Sequence, residues 1–446
     1  MRQRVAQQPE SGLVAALNSD GEGVVREGKT AFVAGALPGE RISFQRMAQH
    51  KGYDEARLLE VLAASPERVV PQCKHFGVCG GCALQHLDHE AQLRTKEQAL
   101  RDALQRVGHA TPQEWLSPLR GPVWGYRRRA RLGARYVTAK GRSLVGFRER
   151  TSSFVADIDH CEVLVPRVGA MIPALSQLVT ELSIRTRMPQ IEVAAADNQL
   201  ALVMRTLLPL TAADRERLVA FEQAHGVRIY LQAGSPNKLE TLDGADEPLW
   251  YELPEFDLRL TFRPSDFVQV NGEMNRLLIS RVVQLLALDG QSRVLDLFCG
   301  LGNFTLPLAR RAAHVVGIEG EEGLVQRARE NALANHLGNV AFHAANLAGE
   351  EAAAECLRLA AQHGAYSHVL LDPPRTGARD VLPTVAQLAP RRVVYVSCHP
   401  GSLARDLDIL VHEHGFVLRS AGIVDMFPHT NHVESIAVLD APGSPS

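Results

Sequence analysis

From Arg293 onward the chain alternates short apolar runs with amphipathic stretches. "RVLDLF", "HVVGIE", "NVAFHAAN", "SHVLLD" and "RRVVYVS" are almost wholly apolar, while "TLPLARRA" and "GLVQRARENALAN" carry apolar residues at helical spacing. Strands apolar on both faces, interleaved with helices, predict a parallel sheet covered on both sides. Two last runs, "FVLRSAGIVDMF" and "VESIAVL", lie close enough together to form a hairpin. The pattern near the N-terminus is different. "GEGVVRE", "KTAFVAGAL", "ERISFQRM" and "DEARLLEVL" alternate and are separated by turns such as "LPGE", which predicts a small β-barrel over residues 1–62. "AASPERVVP" reads as a linker into a cysteine-rich loop. Between Asp88 and Gly108, leucines at 93, 100 and 104 share one face of a predicted helix, which could pack on the C-terminal domain. Residues 118 to about 262 read as mixed α+β, giving three units: 1–62, 63–262 and 263–446.

With 446 residues the chain can build two or three cores, and 46% hydrophobic with 22% charged residues is an ordinary globular composition. No run approaches the roughly 18 apolar residues of a membrane span. "MRQRVAQQPESG" has no apolar segment behind its basic residues, so a cytoplasmic protein with no membrane partner is expected, as a monomer. Seven cysteines argue against a disulfide framework and for metal binding or catalysis. The net charge of −2 hides an asymmetry: residues 1–150 carry 24 Lys/Arg against 15 Asp/Glu. The surplus is dense in "YRRRARLGARY", Tyr126 to Tyr136, where basic and apolar residues alternate. Such a strand is either a solvated face or a phosphate-neutralising one, with Arg127, Arg128 and Arg129 as candidate RNA contacts.

Chemistry concentrates at the ends of the apolar strands. "VLDLFCGLGNFTLPLA" places a Gly-rich turn, with Gly300 and Gly302, between a strand and a helix. Thr305 stands where a dinucleotide site has its third glycine. Glu319 ends the next strand, where a carboxylate can accept ribose hydroxyls, and Asn346 follows the third, where an amide can meet an adenine. Together these predict S-adenosylmethionine as cofactor, with NAD the alternative. Asp372 ends the fourth strand in "LLDPPRTG", and Cys398 ends the fifth in "VSCHP". A thiolate there can add to carbon 6 of uracil and make carbon 5 nucleophilic; Glu434 in "FPHTNHVES" is then available to remove the carbon 5 proton. A thiol of ordinary pKa, ~8.5, is expected to be lowered by Arg375 or a nearby His. Cys73, Cys79 and Cys82, with Cys161 farther on, could close on zinc or on an iron–sulfur cluster, and spacing alone leaves both open.

"DLFCGLGNF", "LLDPPRTG", "VSCHP" and "FPHTNHVE" in combination resemble the motifs of the RNA uracil-5-methyltransferase family, over Asp266 to Val438. The resemblance implies a class I, Rossmann-like SAM-dependent methyltransferase domain, with Cys398 as nucleophile and Glu434 as base. It places Gln269, Phe298, Asn303, Glu319, Asn346 and Asp372 at SAM and substrate positions, Gln269 on the resemblance alone. It also implies a [4Fe-4S] cluster on Cys73, Cys79, Cys82 and Cys161 in a central α+β domain. The N-terminal segment is similar to a TRAM domain, an OB-like RNA-binding barrel. Barrel, cluster loop and catalytic domain together match the family's 23S ribosomal RNA enzymes, so 23S rRNA is the expected partner; another rRNA site or a tRNA is the alternative. An iron–sulfur oxidoreductase is disfavoured by the missing third glycine and by the Cys398/Glu434 pair, and a degenerate RNA-binding module by the intact Asp372, Cys398 and Glu434.

Overall fold

The computed structural model describes residues 8–234, 238–245 and 247–443. The first seven residues of the expected barrel segment and the last three of the C-terminal domain lie outside the described residues. Five strands, Glu10–Leu17, Glu22–Val25, Ala31–Ala34, Arg41–Gln49 and Asp54–Ala63, close into a barrel. Period-two alternation turns Val14, Val25, Val33, Ile42 and Phe44 inward. Closure comes from the parallel pairing of the third and fifth strands and the antiparallel pairing of the first and fourth. Arg46 bridges Asp54 at 2.9 Å within this small barrel.

The helix His89–Arg106 starts where the Asp88 carboxylate accepts from the N–H groups of Glu90 and Ala91. Its Leu93, Leu100 and Leu104 share one hydrophobic core with Leu403, Ala404 and Leu407 of the C-terminal domain. A six-stranded sheet follows, in the order Leu239–Thr241, Arg228–Ala233, Leu200–Thr206, Gln190–Ala195, Arg129–Val137, Arg142–Gly146, with helices Pro166–Glu181 and Ala212–His225 packed on it. The hairpin Leu249–Leu253/Leu258–Phe262 and the helix Gly272–Leu286 lead into the last domain.

The C-terminal sheet comprises β1 (Arg293–Leu297), β2 (His314–Glu319), β3 (Val340–Ala344), β4 (His368–Leu371), β5 (Arg392–Ser397), β6 (Val417–Val424) and β7 (Glu434–Asp440), in the spatial order β3-β2-β1-β4-β5-β7-β6. All are parallel except β7, which inserts antiparallel between β5 and β6. The expected hairpin therefore exists, but its second strand is central. Glu114–Trp115 adds in parallel to the β6 edge, a strand too short to carry any period in the sequence. The order reverses between β1 and β4, which opens a crevice at the carboxyl ends of the strands, where such sheets bind ligands.

The basic strand differs from expectation. Arg127 donates to the Arg129 carbonyl at 2.9 Å, Arg128 pairs with Asp197, and Arg129 donates to the Pro264 carbonyl at 2.6 Å. Each of the three guanidiniums thus already has a partner within the protein, and Arg129 ties the central sheet to the start of the C-terminal domain. Arg131 and Arg135 do face outward.

Burial holds His86, His368 and His429 at a pKa of about 4. A histidine whose pKa falls on folding contributes stability above its unfolded pKa of ~6.5, lost as pH drops towards the folded value. Thermal melts should therefore fall steeply between about pH 6.5 and 4. His368→Gln should flatten that slope; an unchanged slope would show that His368 protonates freely in the folded state.

Candidate active site

Strand register assembles the reacting groups. Ser397 of β5 lies opposite Ser435 of β7. One step further, the same antiparallel pairing sets Cys398, just past the end of β5, against Glu434, the first residue of β7. Asp372 follows β4, the other neighbour of β5, and its N–H approaches the Leu297 carbonyl of β1 at 3.4 Å. Three groups predicted from separate strand ends thus converge.

Glu434 is 4% exposed and Cys398 is half-buried. Burial, with the Asp372 charge added, pushes the Glu434 carboxyl up to about 8. Burial and the neighbouring Glu434 and Asp372 push the Cys398 thiol up to about 11. Asp372 itself is raised to about 7 by desolvation. Arg375 opposes the rise at both Cys398 and Glu434 and lies 3.0 Å from His432 Nδ1. The expected lowering of the thiol is therefore not a property of the free protein: Arg375 acts in the expected direction, but desolvation and two carboxylates outweigh it.

The Gly-rich turn folds as its sequence requires. Gly300 and Gly302 have φ of 56° and 94°, and Phe298 adopts 67° in the same left-handed region, a strained value for an aromatic residue. Glu319 ties the turn down. Its Oε2 accepts from Gly300 N–H at 3.0 Å, and its Oε1 accepts from Gly320 and Glu321 at 2.7 and 3.1 Å. Each oxygen keeps lone-pair capacity for further donors such as ribose hydroxyls.

Asn303 is held from outside the turn. Its Nδ2 donates to Asn275 Oδ1, while its Oδ1 accepts from Asn275 Nδ2 and the Tyr251 hydroxyl, each at 2.9 Å. Gln269 lines a small cavity together with Tyr251 and Asn275. Asn346, beyond β3, is exposed and its Oδ1 accepts from Ala348 N–H at 3.1 Å.

Sequence reasoning missed Asn275, Tyr251 and Asp296. Asp296 is fully buried in β1; Oδ2 accepts from the Thr305 hydroxyl at 2.5 Å, and Oδ1 has no hydrogen-bond partner among the described residues. Burial and the charges of Asp372 and Glu319 raise it to about 8. Its signal was an acidic residue inside an apolar run.

The four predicted cysteines come together. Cys73, Cys79, Cys82 and Cys161 line one cavity with Phe76, Phe147 and Ile158. Burial raises all four thiols, Cys79 to about 11 and Cys82 to about 12, and their charges oppose one another. Four such thiolates need a cationic centre to coexist. Among the described residues, however, no three His, Cys, Asp or Glu side chains are disposed to hold a metal ion as they stand.

Three comparisons with known proteins bear on this site. A family model described as tRNA (Uracil-5-)-methyltransferase matches residues 88–441. A protein of Stenotrophomonas maltophilia (strain K279a), named 23S rRNA (uracil(1939)-C(5))-methyltransferase RlmD, is 48% identical over 98% of this chain and 99% of its own. A protein of the same name from Alkalilimnicola ehrlichii is 50% identical over 98% of each chain. The crystal structure of Pyrococcus abyssi tRNA (uracil-54, C5)-methyltransferase in complex with S-adenosyl-L-homocysteine shares the fold. Its TM-score is 0.75 at 24% identity, covering 96% of this chain and 100% of that one.

The Asn275–Asn303 pair makes its own prediction. Asn275→Leu should weaken S-adenosylmethionine binding by about tenfold, the scale of one lost hydrogen bond, with the melting temperature largely kept. Calorimetric titration measures this, and an unchanged dissociation constant would show that Asn303 needs no such support.

Proposed function

The chain belongs to the tRNA (uracil-5-)-methyltransferase family, and from that premise we propose how its site works and which RNA it serves. It is a SAM-dependent 23S rRNA uracil-C5-methyltransferase; its target is the uridine that the relatives' names number 1939. The observation that carries the mechanism is the β5/β7 register, which sets a thiol against a buried carboxylate at the carboxyl edge of the sheet.

Gln269, Phe298, Asn303, Glu319, Asn346 and Asp372 hold the cofactor and orient the base. S-adenosylmethionine supplies an electrophilic methyl group on a sulfonium. The Cys398 thiolate adds to carbon 6 of the uracil; the C6–S bond forms, and the ring electron pair moves towards carbon 5 and oxygen 4. Carbon 5 thereby becomes nucleophilic towards that methyl group. The Glu434 carboxylate then takes the carbon 5 proton. The freed pair restores the C5–C6 double bond and expels the thiolate. A carboxyl raised to about 8 is a stronger proton acceptor, once ionised, than an ordinary glutamate.

Residues 63–262 form a central domain in which Cys73, Cys79, Cys82 and Cys161 hold a [4Fe-4S] cluster. All four thiols line one cavity, the number that closes either a single zinc or an iron–sulfur cluster, and the resemblance to the family's ribosomal RNA enzymes favours the cluster. The cluster would cross-link the loop at 73–82 to Cys161. The barrel of residues 1–62 is a TRAM-type RNA-binding module, and the catalytic domain runs from 263 to 446. Among the described residues no helix is long and apolar enough to cross a membrane.

Glu434→Gln and Cys398→Ala should fail differently. Cys398→Ala should bind S-adenosylmethionine yet yield neither product nor adduct. Glu434→Gln should accumulate a methylated RNA–protein adduct stable to denaturing electrophoresis, with turnover lower by about 10²–10⁴. Loss of adduct in both, or turnover by Cys398→Ala, would overturn the covalent route.

The single-turnover rate should climb between about pH 6 and 9 as Glu434 ionises. Arg375→Leu should move that rise to higher pH, because the guanidinium lowers both Cys398 and Glu434. A pH-independent rate would remove Glu434 from the titrating step.

Protein purified without air should carry about four iron per chain and lose its colour in Cys79→Ser and Cys161→Ser. Colourless protein with one zinc would replace the cluster by a structural zinc site.

A further inference from the structure

The loop from Asp425 to Val433, which delivers Glu434, is bound by segments far apart in the chain. Asp425 N–H donates to the Leu119 carbonyl at 2.8 Å, and the N–H groups of Ala83 and Leu84, next to Cys82, both donate to the His429 carbonyl at 2.9 Å. The Tyr126 hydroxyl donates to the Pro428 carbonyl at 3.0 Å, and Asn431 donates to Ser19 of the barrel. His429, itself at φ 64°, stacks on Trp124 with ring centres 3.9 Å apart, donates its backbone N–H to Gln92 Oε1 at 2.9 Å, and has its ring Nδ1 3.3 Å from Gln92 Nε2.

One group in this set is out of place by composition. Lys96 stands on the apolar face of the helix His89–Arg106 and is 2% exposed. Its Nζ donates to Asp425 Oδ1 at 2.6 Å and to the Phe427 carbonyl at 2.9 Å. The second Asp425 oxygen lies 2.8 Å from His89 Nε2. A buried ion pair contributes little net stability against an apolar pair of similar volume, because desolvation cancels most of the attraction. It does impose geometry: an ammonium with two fixed acceptors holds both ends of the loop's first turn at set distances from the helix.

We propose that Lys96 is a positioning residue for the proton-removal step, acting through Asp425 and the Phe427 carbonyl to aim Glu434 at carbon 5. The proposal rests on the reading above that Glu434 takes that proton. Both hydrogen bonds that Lys96 Nζ donates go to the loop, to Asp425 and to the Phe427 carbonyl. It sets the entry of the loop into β7, and so the distance from the carboxylate to a base already joined to Cys398. The cofactor positions named above lie instead at Gln269 and at the ends of β1 to β4, and Cys398 follows β5. Its loss should therefore act on one step: breakage of the carbon 5–hydrogen bond, with return of the pair to the ring and departure of the thiolate.

The test compares Lys96→Met, Glu434→Gln and wild type in the full-length holoenzyme on an rRNA fragment, scoring methylated adduct on denaturing gels and S-adenosylmethionine affinity by titration. Lys96→Met should accumulate adduct, with adduct breakdown slowed by about a hundredfold, the scale of an ångström-level misplacement, while cofactor affinity stays within about twofold. Because Lys96→Met leaves the buried Asp425 with only the His89 ring of its two side-chain partners, the double variant Lys96→Met/Asp425→Leu removes both charges and should restore the melting temperature while adduct still accumulates. Wild-type breakdown in either folded variant overturns the proposal, as does a parallel fall of cofactor affinity, thiol addition and breakdown. If Glu434→Gln also fails to accumulate adduct, the reading of Glu434 is what has failed; adduct in Glu434→Gln but not in the Lys96 variants sinks the role of Lys96 alone.

Discussion

The pairing of β7 against β5 is the constraint on which the site depends. Side chains alternate along a strand, so a slip of one residue would turn Glu434 to the opposite face of the sheet. The insertion of β7 between β5 and β6 fixes that register from both sides: Ser435 faces Ser397 on one edge and Ile423 on the other. Every residue of β7 is buried, so the register is also enforced by the apolar core on each face. The barrel, the cysteine loop and the helix His89–Arg106 then hold the loop entering β7 in place.

The same burial sets the electrostatics. Asp296, Asp372 and Glu434 are raised together, each chiefly by desolvation, within one crevice that also holds the Cys398 thiol. Crowded acidic groups in a low-dielectric crevice prefer a cation or a neutral form. A positively charged sulfonium entering this space would lower all four pKa values at once, coupling cofactor arrival to activation of the thiol. Arg375 supplies a fixed part of that field, and its contact with His432 ties it to the loop that leads to Glu434.

Much of this was legible in the sequence because strand ends mark ligand positions in parallel sheets. Cys398, Asp372, Glu319 and the Gly-rich turn each stand at or just past the end of a largely apolar run, and each falls at the carboxyl end of its strand. Glu434 was legible as the acid opening the final run. What was not legible depends on contacts between segments distant in the chain. Asn275 and Tyr251 meet Asn303 only after the helix Gly272–Leu286 and the hairpin before it have packed. Lys96 interrupts the stripe of Leu93, Leu100 and Leu104, but its partner lies 329 residues away. Arg127, Arg128 and Arg129 read as an RNA-facing run because charge density does not reveal which guanidiniums already have partners; the structure gives them Arg129, Asp197 and Pro264.

The most direct test of the account is to identify the atom that joins enzyme and RNA. Wild-type protein incubated with S-adenosylmethionine and an rRNA fragment bearing 5-fluorouridine at the target position should be trapped, because fluorine cannot leave as a cation. After protease and nuclease digestion, mass spectrometry should find a 5-fluoro-5-methyluridine adduct on the peptide containing Cys398 and nowhere else. An adduct on another cysteine, or complete methyl transfer with no adduct, would contradict the assignment of Cys398 as the nucleophile set against Glu434.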